Sequence, residues 1–304
     1  MNKVLITGAS GLVGTRLTEI LLQRGHQVSH VSRSKKQSVK TFVWDVEKGK
    51  IDSEAFKDVD TIIHLAGEGV AEKRWSKRRK QEILESRTKS TALLARHLAE
   101  NQHVKTVICA SAIGYYGFDK ADAELTEESP AGNDFLAQVV NQWEQEADKI
   151  RDKRLVKFRI GIVLSHRGGA LVEMTKPIRW GLGAPLGTGH QYISWIHLDD
   201  LCNMFMFAIE NQGINGVYNA TGPYAVTNKE LTKKIAQALH KPLWLPPVPA
   251  FVLKIIIGEM ADVVVSGSVV SSKKIQETGF KFMFPVLERA LENLLEELNQ
   301  QPEK

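Results

Sequence analysis

Cysteine is scarce in this chain: its 304 residues include two, Cys109 and Cys202. Neither lies beside another cysteine or at a metal-ligand spacing. Cys109 falls in the apolar run Val107-Ile108-Cys109-Ala110 and reads as a buried, reduced thiol. Long apolar runs are missing too. The greasiest stretch, Phe251 to Val265, is broken by Lys254, Gly258, Glu259 and Asp262, well short of the ~18 uninterrupted residues of a membrane span. The opening residues reach Gly8 too soon for a signal peptide, so the expected location is the cytoplasm, without membrane contact. Excess charge is small, at a formal +5, and does not by itself point to nucleic acid. There are no internal repeats and no low-complexity tract.

What is present is an ordinary globular composition, 43% hydrophobic and 25% charged. The first half alternates short apolar runs with helical spacing. Val4 to Ile6, Val28 to Val31, Thr41 to Trp44, Thr61 to Leu65, Thr106 to Ala110 and Leu155 to Leu164 read as strands. Between them, Arg16 to Arg24, Arg74 to Asn101 and Asp134 to Arg151 read as helices, the last with Val139, Val140, Trp143 and Ala147 on one face. Alternation of this kind requires crossover connections and a parallel sheet. The expected fold is α/β: a Rossmann doubly wound parallel sheet over residues 1–165, then a smaller C-terminal substrate lobe over 166–304. That lobe is expected to be discontinuous, with a return strand near 216–219. Glycines and prolines crowd the region from Gly168 to Gly189, which reads as loops around short elements. Leu198 to Glu210, Asn228 to Leu239 and Leu287 to Leu298 read as helices.

The first strand runs into Thr7-Gly8-Ala9-Ser10-Gly11-Leu12-Val13-Gly14, which then opens a helix. Gly8 permits a tight turn, Gly11 lets backbone approach a pyrophosphate, and Gly14 allows close helix–strand packing. The helix start offers free N–H groups and a positive dipole end to phosphate. A site for NAD places Asp or Glu at the end of the second strand, against the ribose hydroxyls. Here that strand ends Val31-Ser32-Arg33-Ser34-Lys35-Lys36, with no carboxylate. Arg33 suits a 2′-phosphate fork, with Ser32 adding a hydrogen bond, so the expected cofactor is NADP(H). Asp45, at the end of the third strand, is placed to face the adenine edge or to cap a turn.

These features resemble the short-chain dehydrogenase/reductase superfamily, in particular its extended, nucleotide-sugar epimerase-like branch. The resemblance rests on the glycine loop, His64-Leu65-Ala66-Gly67, and Ala110-Ser111-Ala112-Ile113-Gly114-Tyr115-Tyr116-Gly117. A narrower likeness, to the atypical "epimerase family protein" group, covers nearly the whole chain. It is carried by Gly67-Glu68 with Arg74-Trp75, Ser86-Arg87, Ser194-Trp195-Ile196-His197-Leu198-Asp199-Asp200, and Asn219-Ala220-Thr221-Gly222-Pro223.

The resemblance implies that Leu65, Ala66 and Gly67 pass the adenosine ribose and pyrophosphate. Val163 is expected beside the nicotinamide. Arg87 is expected to meet a phosphate, with Glu82 orienting it or bonding a ribose, unless the two form a surface ion pair. Lys176 and Arg179 stand where extended relatives grip a substrate diphosphate. The family's chemistry uses Ser with Tyr-x-x-x-Lys, in which the lysine lowers the tyrosine pKa for proton exchange during hydride transfer. Here the corresponding helix reads Asp134-Phe135-Leu136-Ala137-Gln138-Val139-Val140-Asn141-Gln142-Trp143-Glu144, and the pair is expected near Leu136 and Val140, both apolar. Ser111 remains, and Tyr115 or Tyr116 is available as a substitute acid.

His197, Asp199 and Asp200 lack a second His or Cys, so no metal is expected. Trp195 and His197 are read as packing the lobe, and Asp199 or Asp200 as capping the next helix. The basic run Lys73 to Lys80 is read as a solvated helix face, not a nucleic-acid site. The expectation is an epimerase-like oxidoreductase. Its partner is an unidentified small polar metabolite, of which a nucleotide sugar is one class, held between the two halves of a monomer or homodimer. The alternative is a non-catalytic NADP(H) sensor or scaffold.

Overall fold

The computed structural model describes residues 1–35, 39–118 and 124–299, so Lys36 of the basic turn lies outside the described residues. The chain opens with β1 (Lys3–Thr7), α1 (Leu12–Gln23), β2 (Gln27–Ser32), β3 (Thr41–Asp45), β4 (Lys50–Ile51) and β5 (Thr61–His64). It continues through α2 (Lys77–Glu100), β6 (Thr106–Ala112), α3 (Phe135–Ala147), β7 (Arg154–Ile160), β8 (Ile162–Leu164) and α4 (Ala170–Arg179). There follow β9 (Tyr192–Ile193), β10 (Trp195–His197), α5 (Leu198–Glu210), β11 (Gly216–Ala220), β12 (Val226–Thr227) and α6 (Asn228–Ala238). Last come α7 (Ala250–Ile257), α8 (Met260–Val265), α9 (Lys273–Glu277) and α10 (Leu287–Asn299).

Two compact units are interleaved along the chain. The first takes Met1–Tyr115, Ala131–Arg159 and Cys202–Tyr218; the second takes Tyr116–Pro130, Ile160–Leu201 and Asn219–Lys304. Residues 160–165 lie in the second unit, and the chain returns to the first unit at 202–218.

The main sheet of eight strands has the order β11-β7-β6-β5-β1-β2-β3-β4. β1 pairs in parallel with β2 and β5, β2 with β3, and β5 with β6, while β4 turns back antiparallel on β3. The strand order reverses between β1 and β5. In sheets of this kind, ligands bind outside the carboxyl ends of the strands where the order reverses. β5 is buried at every residue, as expected for a strand covered on both faces. Leu5, Phe42, Trp44, Ile62, Leu93, Leu94, Leu98 and Val107 form one side of the core. Cys109 is free and buried, and burial pushes its thiol up to about 12.

In the second unit α4, α6 and α10 close over Leu164, Leu171, Ile178, Trp195, Leu231, Ile235, Leu291 and Leu294. The single strand expected from Leu155 to Leu164 divides into β7 and β8. At the break Gly161 N–H donates to Ala220 O and Ile162 N–H to Ser194 O, so β8 continues in parallel with β10. α4 stands where glycines and prolines suggested loops. Leu171, Thr175 and Ile178 give it a buried stripe, and Pro177 falls in its last turn, where it withdraws the N–H that would bond Glu173 O. Among the described residues no helix is long and apolar enough to cross a membrane.

Candidate functional site

The loop from β1 to α1 is shaped by its glycines. Gly8 has φ +69°, and a Cβ there would stand 2.6 Å from the carbonyl carbon of Leu65 and 2.8 Å from Ala66 N. A Cβ on Gly14 would meet Ala9 Cα at 2.6 Å. The loop thus lies directly on the Leu65-Ala66 segment that leaves β5, which is also tied by Leu65 N–H to Thr7 O at 3.1 Å. Gly11 is the N-cap of α1; no side chain caps it, and no acid occupies the first turn. Ser10 and Gly11 are exposed, and Leu12 and Val13 half-buried. A helix start with uncapped N–H groups and a positive dipole end, floored by backbone that admits no Cβ, fits the pyrophosphate of a dinucleotide.

Thr7 does not face outward. Its hydroxyl meets His64 Nδ1 at 2.7 Å, and His64 Nε2 meets Thr91 Oγ1 at 2.9 Å. Trp143 Nε1 donates to the same Thr91 hydroxyl at 3.1 Å. Burial pushes the His64 imidazole down to about 3, so it is neutral through the physiological range. This chain of bonds ties β1, β5, α2 and α3 together beneath the cradle.

At the end of β2, Ser32 is half-buried and Arg33 is exposed. Arg33 Nη1 lies 3.2 Å from Glu68 Oε1, and Glu68 Oε2 lies 3.4 Å from Arg79 Nη1. Arg79 is buried, donates to Gly69 O, and pairs with Glu82 at 3.2 Å and Glu72 at 3.6 Å. Glu82 also takes Arg78 Nε at 2.9 Å, so its carboxylate is occupied by Arg78 and Arg79, with Arg87 engaged elsewhere. Hydrogen bonds from both arginines hold Glu82 below the usual carboxylate range. Arg87 donates to Ile83 O at 2.9 Å and lies over the Trp143 ring. Its side chain packs on Gly67, where a Cβ would come within 3.2 Å. Burial pushes its guanidinium down to about 10, still charged at neutral pH. Asp45 accepts from Lys48 N–H at 3.0 Å and closes the turn after β3; that bond leads in holding it low. The structure thus brings together the glycine loop, Leu65 to Gly67, Arg33, Glu68 and Arg87 at the carboxyl ends of β1, β2 and β5.

The end of β6 is organised differently. Ser111 donates to Glu144 Oε1 at 2.6 Å, and Arg159 grips the same carboxylate through Nε and Nη2, both at 2.9 Å. Lys157 stands 3.7 Å from Glu144 and 2.7 Å from Asp148. Ser111, Glu144, Lys157 and Arg159 are all buried. Burial acts to raise the Glu144 pKa, but Arg159, Ser111 and Lys157 outweigh it and hold the carboxylate low. The Arg159 guanidinium lies 3.4 Å from the centroid of the half-buried Tyr115 ring. Gly114 faces Leu136 and Val140, where a Cβ would meet them at 3.6 and 3.8 Å. Apolar side chains therefore wall the loop where a tyrosine and lysine were sought.

Tyr116 belongs to the second unit. Its hydroxyl donates to Asn219 Oδ1 at 2.6 Å, and both residues are fully buried. In the same unit Val163 pairs with Ile196 across β8 and β10. Lys176 is exposed and paired with Glu173, and Arg179 is half-buried at the end of α4. The reading of Asp199 or Asp200 as a helix cap is corrected. His197 Nδ1 accepts from Asp199 N–H at 3.0 Å, so the imidazole serves the start of α5. Asp200 instead accepts from Met283 and Phe284 N–H, and burial raises its pKa. Among the described residues no cluster of three His, Cys, Asp or Glu is placed to hold a metal.

Sequence reasoning passed over Glu68, Arg79, Glu144 and Arg159 as chemical groups. A signal for the last two was present. Val156-Lys157-Phe158-Arg159 alternates within a strand buried on both faces, which puts two cations on one covered face and requires buried anions opposite.

The sheet order, the glycine cradle and the β6 loop define an extended short-chain dehydrogenase/reductase fold of the epimerase type. Residues 4–140 match the NAD dependent epimerase/dehydratase family, and residues 248–294 match a domain of unknown function, DUF1731. Epimerase family protein YfhF of Bacillus subtilis is 35% identical over 298 residues, covering 96% of this chain and 97% of that one. The crystal structure of human epimerase family protein SDR39U1 with NADPH superposes with a TM-score of 0.88 at 33% identity, covering 97% of this chain and all of that one. A nucleoside-diphosphate sugar epimerase from Corynebacterium glutamicum gives a TM-score of 0.80 at 31% identity, with this chain spanning 62% of its length. The chain belongs to the epimerase family proteins.

Proposed function

We propose that the chain is an NADP(H)-binding, epimerase-like oxidoreductase acting on a small polar metabolite, with nucleotide sugars the first class to test. The observation that carries the cofactor is Arg33, exposed at the end of β2 beside an uncapped helix start, with no carboxylate on that strand. The human relative solved with NADPH supports it. Gly8, Ser10, Gly11, Leu12, Val13 and Gly14 would form the pyrophosphate cradle, with Thr7 bonded to His64 beneath it. Ser32 and Arg33 would take the 2′-phosphate, with Leu65 to Gly67 and Arg87 alongside. The cofactor would supply the hydride. Ser111, Tyr115 and Tyr116 are the candidates for proton exchange; the Ser111 hydroxyl is held by Glu144 and that of Tyr116 by Asn219.

Arg33→Ala should weaken NADPH binding by about 1.5–3 kcal/mol, the worth of a charged hydrogen bond, and NADH binding far less. Equal losses for both would remove Arg33 as a 2′-phosphate reader. A second reading, a non-catalytic NADP(H) sensor or scaffold, is favoured by the internal bonding of Ser111 and the apolar Leu136 and Val140. Melting the NADPH-loaded protein against nucleotide sugars and small carbonyl compounds separates the two. A ligand at ~100 times its Kd adds about 2.7 kcal/mol, a visible shift. A hit with loss of reduced-nicotinamide absorbance supports a reductase, and a hit without net loss supports epimerisation. Tight NADPH binding with no hit supports the sensor.

A further inference from the structure

We propose that Glu68 sets the coenzyme preference of this chain by holding Arg33 in competition with a 2′-phosphate; this rests on the reading of Arg33 given above. Arg33 is a long, exposed side chain whose ion pair is with Glu68, at 3.2 Å. Glu68 is the fixed member of that pair. Its backbone N–H donates to Ser86 Oγ at 3.1 Å, and its second carboxylate oxygen faces the Nη1 of Arg79 at 3.4 Å. Arg79 is itself buried and bonded: 6% exposed, donating to Gly69 O, and paired with Glu72 and Glu82. Arg79 therefore acts as a positioning residue, and a negative charge is pinned beside the cation that reads the phosphate.

A phosphate approaching Arg33 must either displace Glu68 or stand next to it. Displacement costs the existing ion pair, and coexistence leaves Arg33 shared between two anions, so that it holds each less strongly. Either route weakens NADPH binding. The 2′-hydroxyl of NADH carries no charge and incurs neither cost. A carboxylate near the end of the second strand is also what favours an unphosphorylated ribose in NAD sites. Glu68 brings a carboxylate to the Arg33 guanidinium from the loop after β5 instead of from β2. The fold does not depend on its charge, because Glu68 is partly exposed and Arg79 keeps Glu72 and Glu82.

The test measures Kd for NADPH and NADH by nicotinamide fluorescence on the whole chain: wild type, Glu68→Gln, Arg33→Ala and the double variant, each first shown to melt as a folded protein. Glu68→Gln should tighten NADPH by about fivefold, the upper range for an exposed ion pair, without tightening NADH. The gain should vanish in the Arg33→Ala background. Unchanged or weaker NADPH binding in Glu68→Gln, or equal tightening of both coenzymes, overturns the proposal. So does a gain that persists without Arg33, since that would be direct repulsion and not competition. The two failures are distinguishable. Arg33→Ala that weakens both coenzymes alike refutes the reading of Arg33 itself. Arg33→Ala that weakens NADPH selectively, with Glu68→Gln neutral, leaves that reading standing and removes only Glu68.

Discussion

Glu144→Gln tests whether the polar groups at the end of β6 are structural. The substitution is nearly isosteric and removes one charge. Glu144 accepts from Ser111 at 2.6 Å and from Arg159 twice at 2.9 Å, and Glu144 and Arg159 are 5% and 3% exposed. Lys157 keeps Asp148, so the uncompensated cation is Arg159. Breaking a buried pair by neutralising one partner costs about 3–5 kcal/mol. The amide oxygen can still accept one hydrogen bond, which puts the loss near 3 kcal/mol, or about 6–12 °C in Tm for a unit of this size. Differential scanning fluorimetry or circular dichroism reads it. Replacing both partners, as Glu144→Leu with Arg159→Met, should recover much of the loss, because no orphaned charge remains. The pH dependence has a definite sign. The folded Glu144 pKa lies below its ordinary 4.5, so the contribution is present above that pH and is lost as pH falls through the folded value. Glu144→Gln should lack that acid limb. A variant melting within about 1 °C of wild type, or a double variant showing the full additive loss, would refute the reasoning.

Three further outcomes follow from the geometry. His64 falls from 6.5 to about 3 on folding, so stability should be constant above pH 6.5 and decline as pH drops toward 3. His64→Gln, which retains donor and acceptor groups for Thr7 and Thr91, should flatten that window; equal wild-type urea midpoints at pH 7 and pH 5 would contradict it. Gly8→Ala should lower Tm and abolish nucleotide binding, because φ is +69° and the new Cβ would stand 2.6 Å from Leu65 backbone; full NADPH affinity in that variant would show that the cradle is not the site. Asp200→Ala leaves two N–H groups, of Met283 and Phe284, without their acceptor and should cost about 2 kcal/mol in urea titration, with Asn milder.

Local features of the sequence carried furthest. β1, β2, β3, β5 and β6 were legible because they are short apolar runs between turn residues, and α3 because Val139, Val140, Trp143 and Ala147 share one buried face. The glycine loop was legible because its whole geometry lies within eight consecutive residues. α4 was hidden by the glycines around it and by Pro177. α7 and α8 were hidden because their apolar residues do not sort to one face: Phe251, Ile255 and Ile256 are exposed while Leu253 is buried. The ion pairs were illegible for a different reason. Arg33 meets Glu68, and Ser111 meets Glu144, only after crossovers set β2 beside β1, β1 beside β5 and α3 over β6. No periodicity within one segment encodes such a meeting.

The two halves of the carboxyl edge therefore differ in kind. At the cradle, the first-turn N–H groups of α1 are left uncapped, which favours an anion. At β6, a hydroxyl, a carboxylate and a guanidinium satisfy one another, which favours a fixed arrangement over proton exchange at Ser111. Trp143 joins the halves through Thr91, His64 and Thr7, and that link does not use the Glu144 carboxylate. Glu144→Gln should then lower Tm while leaving NADPH affinity within about twofold of wild type, because none of the cradle's own contacts is touched. Isothermal titration below the variant's melting range measures it. Parallel loss of stability and affinity would show instead that the β6 network also shapes the cradle.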